Sequence, residues 1–139
     1  MPRYSQLESI DLSIKNLRIL LIEDDKNAAF TIKTMLHELG MYRVLVAADG
    51  KHGSEVISSA SKIDLILCDW DLPYKSGIEI LQDLRRINNL TPFIMITGKA
   101  DPASVRMALK AGVSAYIKKP FKKQEIHEKI IQIHAKQNR

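Results

Sequence analysis

A chain of 139 residues amounts to one domain, long enough to bury a core without metal or disulfide support. Its one cysteine, Cys68, excludes an internal disulfide and lies inside an apolar run, as expected of a core hydrophobe in a reducing compartment. No stretch approaches the length of a membrane span and the N-terminus lacks the apolar block of a secretory signal, so a cytoplasmic protein is the expectation; the net charge of +5, spread along the chain, permits an acidic partner or weak nucleic-acid contact and establishes neither.

The first sixteen residues carry two patterns. Ser5-Gln6-Leu7-Glu8 fits a capping box with Leu7, Ile10 and Ile14 on one helix face, whereas Ile10, Leu12 and Ile14 alternate like a strand; residues 1-16 are therefore set apart as an extension of open structure. Arg18 to Ile22 is a short apolar run that ends on Glu23-Asp24-Asp25, a buried strand delivering acids to its carboxyl end. Ala28, Ala29, Ile32, Met35, Leu36 and Leu39 then repeat at the spacing of one helix face, and Gly40 stands where a C-terminal cap belongs. Arg43 to Ala48 reads as a second strand and Gly50 to Ala60 as a weaker helix with Val56 and Ile57 inward.

The third run, Ile63 to Cys68, stops abruptly on Asp69 and is closed by the turn Asp69-Trp70-Asp71-Leu72-Pro73. In open parallel sheets ligands bind just beyond the carboxyl ends of strands, which makes Asp69 a candidate reactive group; the plain alternative is a turn-capping aspartate. A helix with Ile80, Leu81, Leu84 and Ile87 inward follows. Thr91-Pro92 opens a fourth strand, Phe93 to Ile96, ending on Thr97-Gly98. Asp101-Pro102 is an N-cap followed by proline in the first turn, and Val105, Ala108, Leu109 and Gly112 complete that helix. The fifth strand, Val113 to Ile117, runs into Lys118-Lys119-Pro120-Phe121, and Ile126, Ile130 and Ile133 mark a last helix. Strand and helix thus alternate five times, the pattern of an α/β chain with a parallel sheet covered on both faces, and right-handed crossovers make it doubly wound.

In such a sheet Glu23 and Asp24, Asp69, Thr97 and Lys119 gather at one edge. Neighbouring carboxylates repel, so the cluster should take up protons or bind a divalent cation, and hard oxygen ligands suit Mg²⁺ or Mn²⁺ better than zinc. The four histidines, His37, His52, His127 and His134, are scattered and expected to face solvent.

With Glu23-Asp24, Asp69, Thr97, Tyr116 and Lys119-Pro120 all at strand ends over residues 17 to 136, the chain resembles the receiver (CheY-like) domain of two-component response regulators. The resemblance implies a flavodoxin-like (βα)5 sandwich with strand order 2-1-3-4-5, and a receiver over residues 17-139. It implies Asp69 as phosphoacceptor, taking a phosphoryl group from a phosphohistidine on a sensor histidine kinase or a histidine phosphotransfer protein. It further implies Mg²⁺ held by Asp24, Asp69 and the Asp71 backbone carbonyl, with Glu23 acting through water, and Mn²⁺ able to substitute. Thr97 and Lys119 would take phosphoryl oxygens, a cis bond would precede Pro120, and Tyr116 would swing as Thr97 moves. Asp71 and Lys99, each two residues past a key position, would tune phosphoryl lifetime, and the small Gly98 would keep the pocket open. Lys118 points to the other side of its strand, and Asp25 favours the start of the first helix by its charge. The changing face, made by the fourth helix, fifth strand and fifth helix, carries Arg106, Lys110, Lys118, Lys122 and Lys123, which suits an acidic or mixed-charge target.

Four functions fit these residues to different degrees. A stand-alone phospho-switch acting by binding is the first, without turnover of an external substrate; a phosphorelay intermediate is chemically identical. An Asp-x-Asp phosphatase using Asp69 and Asp71 is disfavoured by the lack of a cap domain, and a fragment of a larger regulator is the fourth. Direct DNA binding is not expected, because the basic residues are not interleaved with aromatics and no helix-turn-helix or finger pattern follows.

Overall fold

Apolar runs of four or five residues are too short for helices and too continuous for strands exposed on one face, so they must lie inside a sheet. The computed structural model, which describes residues 12–59 and 62–137, places them there. In chain order the elements are β1 (Ile19–Ile22), α1 (Lys26–Glu38), β2 (Val44–Ala47), α2 (Gly50–Ser59), β3 (Leu65–Cys68), α3 (Gly77–Arg86), β4 (Phe93–Thr97), α4 (Pro102–Ala111), β5 (Ala115–Lys118) and α5 (Lys123–Gln137). The five strands are all parallel in the order β2-β1-β3-β4-β5, as the resemblance implied. Every residue of β1, β3 and β4 is buried, while the edge strands β2 and β5 expose part of theirs.

Alternation along each strand divides the core into two layers. Leu21, Leu67, Ile94 and Ile117 face Ile32 and Leu36 of α1 and Ile126 and Ile130 of α5. Leu20, Ile66, Phe93 and Met95 face Leu81 and Leu84 of α3 and Ala108 of α4. Strand order reverses between β1 and β3, so the crevice of the switch point opens above the ends of these two strands.

The helix boundaries follow local chemistry. Asp25 is the N-cap of α1 and accepts from the backbone N–H groups of Asn27 and Ala28 at 2.8 and 3.0 Å, so it works through hydrogen bonds as well as charge. Asp101 caps α4 with Pro102 at its first position, and Gly112 closes that helix at φ +92°, where a side chain would be strained.

Several inward faces differ from expectation. Ile87 is 74% exposed because α3 stops at Arg86 and Ile87 is its C-cap, beyond the last turn on the sheet. Leu109 is likewise exposed; the buried residue of α4 is the small Ala108. Of the histidines only His52 is exposed. His37 is half-buried against Tyr42, with ring centroids 5.4 Å apart, and its Nε2 is buried without a hydrogen-bond partner among the described residues; His127 and His134 are half-buried on α5. Ile14 is buried with the α1 and α5 layer, and residues 12–14 form a helical turn. The capping box at Ser5 to Glu8, Leu7 and Ile10 lie outside the described residues.

Candidate functional site

Strand register brings the chemistry together. Ile22 is paired with Cys68, so Glu23 and Asp69 stand level one residue further on, and the Asp69 N–H donates to the Ile22 carbonyl at 3.0 Å. Thr97 is paired with Lys118, which puts Lys119 one step beyond β5, its N–H donating to the Thr97 carbonyl at 2.9 Å. The Lys119–Pro120 bond is cis.

The Lys119 ammonium reaches across the strand ends. Its Nζ lies 2.5 Å from Glu23 Oε1 and 3.0 Å from Asp69 Oδ2, donating a hydrogen bond to each. Asp69 Oδ1 accepts from the Asp71 N–H at 3.3 Å, and Glu23 Oε2 accepts from the Asp25 N–H at 3.3 Å. Glu23 is almost fully buried, Asp69 half-buried and Asp24 exposed. Carboxylate oxygens of the three lie within 4.8 Å of one another.

Electrostatics follow this geometry. Burial pushes the Glu23 carboxyl above its ordinary pKa; the Lys119 hydrogen bond opposes the shift and the nearby Asp69 charge reinforces it. Burial alone would depress Lys119, but its hydrogen bonds to Glu23 and Asp69, together with their charges, leave it raised and firmly cationic. The Cys68 thiol, fully buried, is pushed well above its usual value by burial and then by the charges of Asp69 and Glu23, so it supplies no thiolate. The donor set is therefore carboxylate oxygen with one exposed side. That set fits a hard divalent cation which keeps several waters, and it fits zinc poorly.

The remaining candidates form the walls. Thr97 is fully buried at the end of β4, and its Oγ1 accepts from the Lys99 N–H at 3.2 Å. The Tyr116 hydroxyl donates to the Lys99 carbonyl at 2.5 Å; burial and then the charges of Asp101 and Asp71 raise its pKa. Asp71 is exposed, and Lys99 Nζ lies 3.6 Å from its Oδ1 and 5.9 Å from the centre of the Trp70 ring. Gly98 is open, with no atom within 4 Å of where a Cβ would stand. The structure thus joins Glu23, Asp24, Asp69 and Lys119 in direct contact range, and links Thr97, Tyr116 and Asp71 through Lys99. On the basic face, Arg106, Lys110, Lys118 and Lys122 are exposed, whereas Lys123 turns toward α1, its Nζ 3.6 Å from Glu38 Oε2.

Two features were not legible beforehand. The Lys119 bridge to Glu23 spans 96 positions, and no local pattern marks it. A mostly apolar groove of about 460 Å³ beside Lys119 is lined by Ala28, Thr31, Ile32, Met35, Pro120 and Phe121.

Comparison with known proteins agrees with this architecture. The family model for the response regulator receiver domain matches residues 19–131. Chemotaxis protein CheY1 of Helicobacter pylori is 34% identical over 116 residues, covering 82% of this chain and 94% of that protein. The receiver domain of Francisella response regulator 1452 superposes with a TM-score of 0.81 at 33% identity, over 88% of this chain and 99% of that one. The receiver domain of sensor histidine kinase PA1611 from Pseudomonas aeruginosa, which holds a magnesium ion in its active site cleft, gives 0.74 at 32% identity over 84% and 96%. The chain belongs to the response regulator receiver domain family, the receivers of two-component signalling. Among the described residues no helix is long and apolar enough to cross a membrane.

Proposed function

We propose that Asp69 accepts a phosphoryl group from a phosphohistidine on a sensor histidine kinase or a histidine phosphotransfer protein, and that the resulting acyl phosphate switches binding to a downstream protein. The observation that carries this reading is the Lys119 ammonium placed 3.0 Å from Asp69 within a three-carboxylate cluster. A carboxylate is a weak nucleophile toward phosphorus, and the transfer needs alignment and fixed positive charge more than acid-base chemistry.

Mg²⁺ would be held by Asp24, Asp69 and the Asp71 backbone carbonyl, with Glu23 through water, and Mn²⁺ would substitute; when bound it supplies charge neutralisation at the phosphoryl oxygens. The chain's own groups do the rest. An Asp69 oxygen forms the new bond to phosphorus as the phosphorus–nitrogen bond breaks, and the imidazole leaves with the electron pair. Lys119 then exchanges part of its contact with the carboxylates for a phosphoryl oxygen. Thr97, whose Oγ1 already accepts from Lys99, has its own proton to donate to another. The donor must seat against the rim, and the groove between α1 and Phe121 offers apolar surface beside Lys119.

Output is by binding, without turnover of an external substrate. The face of α4, β5 and α5, with Arg106, Lys110, Lys118 and Lys122 exposed, suits an acidic or mixed-charge target. The receiver spans 17–139 in this reading, with residues 1–16 ahead of it, of which Ile14 packs into the α1 and α5 layer. The likeness to the receiver of a sensor histidine kinase supports a second reading, a relay intermediate passing the phosphoryl group onward. Incubation with acetyl phosphate and Mg²⁺ tests the core claim. Intact mass should rise by one phosphoryl group, the gain should vanish in Asp69→Asn, and Trp70 emission should respond to Mg²⁺ in the parent. A parent protein that gains no mass while still binding Mg²⁺ would refute the acceptor role.

A further inference from the structure

Lys99 touches both walls of the crevice with separate groups. Its backbone serves the β4 side, where the N–H donates to Thr97 Oγ1 at 3.2 Å and the carbonyl accepts from the Tyr116 hydroxyl at 2.5 Å. Its side chain serves the β3 side, where Nζ lies 3.6 Å from Asp71 Oδ1 and 5.9 Å from the Trp70 ring. The segment it belongs to has little else to hold it. Gly98 meets nothing within 4 Å of a Cβ position, and Gly98, Lys99 and Ala100 are all exposed.

We propose that Lys99 is a positioning residue: its ion pair with Asp71, seated over Trp70, fixes the backbone that holds the hydroxyls of Thr97 and Tyr116, so that Tyr116 is anchored before any phosphoryl group arrives. The assignment of Thr97 and Tyr116 as switch residues rests on the function proposed above; the positioning itself does not. Physically, the segment from Gly98 to Ala100 gains nothing from burial, so contacts of its side chains decide which backbone geometry it keeps. An exposed ion pair and a cation over a ring are individually weak, and they act here on a segment whose residues 98–100 are all exposed. The pair also crosses from the loop after β3 to the loop after β4. A ligand or phosphoryl group that pulls on Asp71 therefore pulls on the tyrosine's acceptor.

The test uses the unphosphorylated, Mg²⁺-free full chain labelled with 3-fluorotyrosine, with the Tyr116 resonance assigned by Tyr116→Phe. Lys99→Met and Asp71→Asn should each lower the anchored Tyr116 population by about two- to fivefold. The double variant should go no further than either single one, and Lys99→Arg should recover the parent spectrum. Raising salt well beyond physiological strength should move the parent, and not the variants, in the same direction. An unmoved Tyr116 resonance in both single variants, or additive shifts in the double variant, overturns the proposal. Since no phosphoryl donor or metal is present, a failure of the acceptor role at Asp69 would leave this result standing, and the converse holds equally.

Discussion

The two loops that border the crevice are built on opposite principles. The loop after β3 is clamped by backbone. The Gly50 N–H donates to the Pro73 carbonyl at 3.1 Å and the Gly77 N–H to the Trp70 carbonyl at 2.8 Å. A Cβ on Gly50 would collide with the Lys75 carbonyl, and one on Gly77 with the Asp69 carbonyl. Within this clamp Tyr74 is forced to φ +69°, a conformation few side chains adopt. The loop after β4 has no such clamp: Gly98 is open, and side-chain contacts of Lys99 and Tyr116 hold it. The lesson is a division of labour. On the function proposed above, the acceptor carboxylate needs a fixed position, which close-packed backbone supplies, whereas a segment that responds to a new group on it needs restraints weak enough to exchange.

The sharpest way to break this comparison is to add a methyl group on each side. Gly77→Ala should cost about 3 kcal/mol of stability, as overpacking against a main chain with no room to shift, and should displace Asp69. Gly98→Ala should stay within about 0.5 kcal/mol of the parent. Urea unfolding of the two variants side by side decides it; equal losses would mean that the loops do not differ as described.

Removing the shared cation should have the next largest effect. Lys119→Met leaves Glu23 and Asp69 facing each other without a counter-charge, and should cost about 1 to 3 kcal/mol in Mg²⁺-free solution. Mg²⁺ should restore more stability in this variant than in the parent, which thermal melts with and without the ion will show.

A smaller effect is expected from pH. Because the folded protein raises the Glu23 pKa, it binds that proton more tightly than the unfolded chain does; this contribution favours the fold at low pH and is lost as pH rises through the folded value. A cation competes with the same proton. Stabilisation by Mg²⁺ should therefore be full near neutrality and decline on acidification, starting at a higher pH than an ordinary glutamate would allow. Titrations of Trp70 emission with Mg²⁺ at stepped pH measure it, and a midpoint at or below the ordinary glutamate range would contradict the burial of Glu23.

The smallest change should follow from filling the open side. Gly98→Leu should slow phosphorylation by acetyl phosphate and the subsequent hydrolysis several-fold, with the fold unaffected, since no atom lies within 4 Å of where its Cβ would stand. Phosphoprotein decay followed by intact mass provides the rates; unaltered rates would mean that Gly98 does not border the path.

How much of this was legible beforehand depended on the range of the interaction. Asp101-Pro102 announced the start of α4 because capping is a contact within three residues. The apolar runs announced β1, β3 and β4 because a strand buried on both faces has no polar alternation to hide it. Ile87 was misread because helical periodicity continues past the residue at which backbone hydrogen bonding ends, and only the cap geometry shows the stop. His37 was expected in solvent because nothing in its own neighbourhood reveals that Tyr42 folds back over it.

The sequence by itself determined the alternation of strand and helix, the acids and the alcohol at strand ends, and hence the family, because these depend on residue type and on spacing of a few positions. Only the tertiary structure decided that Lys119 bridges Glu23 and Asp69, that Asp71 and Lys99 meet across the crevice, and that Gly77 lies against the Asp69 carbonyl. The first two join strand ends and loops that share the upper rim of the sheet while lying far apart in the chain, and the third closes the loop after β3 on itself. Their distances are set by register and by packing of main chain on main chain, which no local pattern of residues encodes.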